Sequence, residues 1–137
     1  RDLRMSRGLG DVYKRQDLVM PILLEVNVAE EESKFGLTTN EVLPLLEKIS
    51  IFSHIKVMGL MTIAPFVKNP EENREIFRTL KKLSVVINAK NINNVNMSVL
   101  SMGMTGDYQV AVQEGSTMVR VGTGIFGERN YATRQED

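Results

Sequence analysis

Pro21-Ile22-Leu23-Leu24-Glu25-Val26-Asn27-Val28 is a short β-rich run whose two faces differ. Successive side chains of a strand point to opposite sides, so Ile22, Leu24, Val26 and Val28 share one face while Glu25 and Asn27 lie on the other. Residues 117–122 repeat the pattern near the far end of the chain, with Val119 and Val121 on one side and Met118, Arg120 and Gly122 opposite. A strand with one apolar and one polar face suits a barrel, where helices cover the outside and the lumen stays polar. A doubly wound sheet, covered on both faces, reads instead as nearly continuous apolar runs.

Between these two runs, strand and helix signals alternate. A turn at Lys34-Phe35-Gly36 leads to a helix that starts on the capping-box pair Thr38 and Glu41 and continues with Val42, Leu45, Leu46 and Ile49 at helical spacing. A second strand is expected over 56–63. Asn69 and Pro70 then mark an N-cap and first helical position, and Ile76, Phe77, Leu80, Leu83 and Ile87 form the apolar stripe of the helix that follows. The third unit is a strand over 96–101 and a helix over about 106–114, stopped by Gly115. The class is therefore α/β, a half (β/α)8 TIM barrel of about four βα units.

The composition is that of an ordinary globular domain, 42% hydrophobic and 25% charged. Seventeen basic residues balance seventeen acidic ones. No global field draws the chain to nucleic acid or to a membrane surface, so any anion site is local. Cysteine is absent, which excludes disulfides and thiol chemistry, and no apolar run approaches the ~20 residues of a membrane span. A cytoplasmic setting is expected. Residues 1–16 differ from the rest, with five basic residues against two acidic ones and no apolar period. Asp11-Val12-Tyr13-Lys14-Arg15-Gln16 resembles the translated end of a transposon used in sequencing libraries, so 1–16 are expected to be a non-native tail and 17–137 the domain.

Two small-residue segments carry the chemistry. They are Leu100-Ser101-Met102-Gly103-Met104-Thr105-Gly106-Asp107 and Arg120-Val121-Gly122-Thr123-Gly124-Ile125-Phe126-Gly127. Glycines and hydroxyls just after a strand leave backbone N–H groups to point at an oxyanion, and barrel phosphate sites lie in the loops after the last two strands. Both segments are expected as turns there, the first over 101–106, with Met102 and Met104 offering backbone N–H groups. Arg120 sits inside the last strand, where an unpaired guanidinium costs several kcal/mol to desolvate. Its acceptor is either Glu25 or a ligand. His54 is expected in a loop on the opposite side, Lys34 as a surface lysine, and Glu71, Glu72, Lys81 and Lys82 as a solvated helix face. No metal-ligand cluster and no nucleophile with a base is visible.

Ser33-Lys34-Phe35-Gly36, Gly59-Leu60-Met61-Thr62-Ile63-Ala64-Pro65 and the two small-residue segments together resemble the pyridoxal phosphate homeostasis protein family, whose barrel is related to the alanine racemase N-terminal domain. The resemblance runs from about Asp17 to Tyr131 and covers the C-terminal half of that barrel. It implies pyridoxal 5′-phosphate (PLP) as cofactor, with its phosphate held by Ser101, Met102, Gly103, Met104, Thr105, Gly122 and Thr123 and with Arg120 facing the pyridine nitrogen. It also implies a Schiff-base lysine on an early strand that would precede Asp17. The implied role is non-catalytic cofactor homeostasis, with PLP-dependent apoenzymes as the partner class. The alternatives are a racemase-like PLP enzyme on the same barrel, disfavoured because Tyr131 lies in a polar tail, and a barrel fragment that self-associates through open strand edges.

Overall fold

A computed structural model describes residues 18–31 and 35–122. Four strands, β1 (Met20–Glu25), β2 (Ile55–Met61), β3 (Val95–Met104) and β4 (Met118–Arg120), form one parallel sheet in the order β1-β2-β3-β4. Helix α1 (Thr39–Ile49) joins β1 to β2, and a 3-10 turn (Pro70–Asn73) running into α2 (Arg74–Ala89) joins β2 to β3. Helix α3 (Tyr108–Gln113) joins β3 to β4. A doubly wound sheet reverses its strand order at a switch point, whereas here spatial order equals chain order. The architecture is the expected α/β half-barrel.

Local chemistry sets the helix starts. Glu41 Oε1 accepts the Thr38 backbone N–H at 3.0 Å, and Asn69 Oδ1 accepts that of Glu71 at 3.1 Å, with Pro70 in the first helical position. Val42, Leu46 and Ile49 of α1 and Phe77, Leu80 and Ile87 of α2 are buried against Val57, Leu60, Leu100 and Met102 of the sheet. Each such side chain stabilises the fold by about 2 kcal/mol through apolar burial. On β1 and just beyond it Leu24 and Val26 are buried, and Ile22 and Val28 pack against the same core, so the predicted apolar face is the real one.

The boundaries differ from expectation in the last two units. β4 spans three residues, α3 six, and β3 runs through Met104 where a turn was expected from residue 101. The strand continues because its backbone stays paired. Thr62 N–H donates to Ser101 O at 3.1 Å, and Ser116 Oγ to Met102 O at 2.7 Å. Gly103 adopts φ +106°, and a Cβ there would lie 2.8 Å from Ala111 Cβ, so this glycine lets α3 pack onto the strand instead of making a turn. His54 lies just before β2, its Nδ1 3.1 Å from Leu18 O, at the end of the strands away from the candidate site. Among the described residues no helix is long and apolar enough to cross a membrane.

Candidate functional site

The sheet register places Glu25 and Met61, the last residues of β1 and β2, in one row with Ser101 of β3 and Met118 at the start of β4, and Arg120 pairs with Met104 beyond that row, where β3 and β4 end. Arg120 is half-buried. Its Nη2 donates to the carbonyl of Thr62 at 2.9 Å, while its Nε is buried without a hydrogen-bond partner. No ion pair with Glu25 forms. Burial pulls the guanidinium below its ordinary pKa, and the more distant charges of Glu25 and Asp107 oppose that shift. Arg120 nevertheless stays charged, since arginine titrates far above any working pH.

Thr62, which sequence reasoning did not single out, holds this arrangement. It is 1% exposed; its Oγ1 donates to Val26 O at 2.7 Å, its N–H to Ser101 O, and its own carbonyl receives Arg120. One residue just past β2 is thereby bonded to the chain following β1, to β3 and to β4. The only sequence signal was a hydroxyl in the otherwise apolar run Leu60-Met61-Thr62-Ile63.

The turn after β3 comprises Thr105, Gly106 and Asp107. Asp107 Oδ1 accepts the Met104 backbone N–H at 2.7 Å, and its Oδ2 accepts from Asn73 Nδ2 at 2.9 Å. The expectation that Met104 offers its N–H to a phosphate is therefore corrected, because Asp107 already uses that donor. Asn73 is buried, also donates to Pro65 O at 2.9 Å, and so ties the β2–α2 connection to this turn. A polar residue on the inner side of a helix start was its only trace in the sequence. A cleft of about 390 Å³ opens beside the turn, lined in part by Thr105, Gly106, Tyr108, Asn69 and Glu71.

Of the residues expected in the site, Ser101, Met102 and Gly103 are buried within β3, and Met104 is 41% exposed at its end. Thr105 borders the cleft, while Gly122 is exposed two residues past Arg120 with open space around its Cα. Thr123 and Lys34 lie outside the described residues. The structure thus brings Arg120, Thr62, the end of β3 and the 105–107 turn to one end of the sheet.

Beside the turn an ion cluster joins α2 to the end of α3. Glu114 receives Arg74 at 2.7 Å and Arg78 at 3.0 Å, and Arg74 also pairs with Glu71 at 2.6 Å. Glu71 therefore belongs to a cross-helix clamp rather than to a merely solvated face. Hydrogen bonds from the two arginines hold the Glu114 carboxyl below the usual carboxylate range.

The family model described as alanine racemase, N-terminal domain, matches residues 3–130. A pyridoxal phosphate homeostasis protein of Aquifex aeolicus is 43% identical over 117 residues, 85% of this chain and 50% of that protein. The chain thus spans about half the length of the curated relatives it matches. Among solved structures, an unknown protein from Bifidobacterium adolescentis superposes with a TM-score of 0.81 at 36% identity, covering 90% of this chain and 49% of that one. PipY of Synechococcus elongatus PCC7942, solved without PLP, gives 0.77 at 27% identity over 87% of this chain and 55% of that one. With a parallel half-barrel in common and a match along nearly the whole sequence, the chain belongs to the alanine racemase N-terminal domain family.

Proposed function

We propose that this chain binds pyridoxal 5′-phosphate at the C-terminal ends of β2, β3 and β4, and that it serves cofactor homeostasis in a cytoplasmic setting without a reaction of its own. The observation that carries this reading is the buried Nε of Arg120, a charged donor without a protein acceptor among the described residues. Buried donors are almost always paired, and a pyridine nitrogen supplies the missing acceptor. The name of the curated relatives supports the same ligand. The phosphate falls to the 105–107 turn and to Gly122; of the other residues the resemblance implies, Ser101, Met102 and Gly103 support that turn from within β3, and Thr123 follows Gly122 outside the described residues.

What PLP supplies when bound is an aldehyde and an electron-accepting ring. A guanidinium opposite the ring nitrogen donates to it and withholds the proton that would strengthen the ring's pull on electrons. Asp107, the carboxylate of the turn, has one oxygen on Met104 N–H and the other on Asn73, which leaves it poorly placed to move protons. Both points favour a carrier over a racemase or decarboxylase. Holding by these residues is non-covalent and reversible.

Titration of the 137-residue chain with PLP, followed by absorbance and equilibrium dialysis, tests the reading. Saturable binding is expected, and Arg120→Gln, which removes a charged hydrogen-bond donor, should weaken it about tenfold or more. Equal affinity in the two proteins, or no binding by the unmodified chain, would overturn it.

A further inference from the structure

We infer that Thr62 is the positioning residue of this site: by its carbonyl it aims Arg120 so that Nε, rather than the guanidinium terminus, meets the ring nitrogen of the ligand. The inference rests on the cofactor reading above and adds to it the means by which the arginine is held.

A long flexible side chain at the end of a three-residue strand needs an external support, because arginine otherwise gives up substantial rotamer entropy to hold one pose. The support observed is Thr62 O, 2.9 Å from Nη2. It is a neutral acceptor. A carboxylate in its place would take the guanidinium in a two-point grip and engage Nε itself. A single carbonyl fixes one terminal nitrogen and leaves both Nε and the full positive charge for the ligand.

The carbonyl is in turn held by the rest of Thr62. Its N–H is on Ser101 O at 3.1 Å and its Oγ1 on Val26 O at 2.7 Å, so the residue that carries this carbonyl is pinned to the neighbouring chains on both sides. Valine has nearly the same shape but cannot donate to Val26 O, which removes one of the two anchors of residue 62 and lets its carbonyl turn away from Arg120. The hydroxyl thus acts on the ligand through two intermediates, the Thr62 carbonyl and Arg120. Its effect should be confined to whatever Arg120 touches.

The test compares two ligands on the full 137-residue chain: PLP, and the analogue in which the ring nitrogen is replaced by C–H. The unmodified chain should favour PLP by about tenfold, the worth of one charge-assisted hydrogen bond. In Thr62→Val that preference should fall to about two- to threefold while affinity for the analogue is unchanged, and Thr62→Ser should restore it. Should the valine variant not fold, Thr62→Cys, of similar size and a weak donor, takes its place. Equal weakening toward both ligands, or an unchanged preference, would show a merely structural threonine and overturn the inference. Absence of binding by the unmodified chain overturns the cofactor reading along with it, and a change of preference in Thr62→Val alone sustains both.

Discussion

At residue scale the sheet depends on Gly59, where the backbone of β2 lies close against that of β3. A Cβ there would lie 1.8 Å from Val99 O, inside any possible contact, and the clash is with backbone that no rotamer change relieves. The pairing register also slips between Val57 and Gly59, the kind of irregularity that a glycine inside a strand commonly accompanies. Gly59→Ala should therefore lower the unfolding free energy by about 3 kcal/mol or more, measured by chemical denaturation. A loss below about 1 kcal/mol would show that the strands can separate cheaply at this level. Glycine inside a strand signals close approach in the sequence, but which neighbour approaches is fixed only by the fold. The same limit applied to Thr62 and Asn73, whose partners are 36 and 34 residues away in Val26 and Asp107.

Between elements, the clearest energetic device is the clamp of Arg74 and Arg78 on Glu114. The carboxyl is lowered in the folded state, so its contribution is present above the unfolded glutamate pKa of about 4.3 and is lost as pH falls through the lower folded value. Glu114→Gln should destabilise the chain at neutral pH, and the gap between the two proteins should close progressively below about pH 4 in urea titrations. Added salt should narrow the gap as well, because the clamp stands at the surface. A gap that persisted unchanged in acid would assign the role of Glu114 to packing instead. The helices themselves were legible, because caps and apolar stripes are local signals. Thr38 with Glu41, Asn69 with Pro70, and the Phe77, Leu80 and Ile87 stripe all stand where the sequence placed them. The clamp was not legible, since it joins residues some 40 positions apart.

For the whole molecule, face alternation in the first and last strands was enough to separate a half-barrel from a doubly wound sheet, because a lumen and a helix layer impose opposite polarity on alternate residues. The position of Arg120 followed from the same argument. What failed was the boundary between β3 and its turn. Leu100-Ser101-Met102-Gly103-Met104 reads as a small-residue turn, yet these residues continue the strand, with Gly103 serving packing against Ala111. Amide hydrogen exchange should reflect the resulting order. β2 and β3, each flanked on both sides, should exchange slowest, β1 and β4 faster, and PLP should slow β4 selectively. Uniform exchange across the four strands would contradict this arrangement.

That expectation follows from the brevity of β4. Three residues paired to β3 at Ser101 and Met104 are a thin attachment for Arg120, the side chain to which the proposed function gives the ring nitrogen. A ligand held as proposed, between Arg120 and the 105–107 turn, would join β4 to its neighbour as a rung the backbone lacks. By linkage, anything held only in the folded state adds to stability, about 2.7 kcal/mol at a hundredfold excess over its dissociation constant. On the proposed reading, resistance to unfolding should rise and fall with the free concentration of PLP.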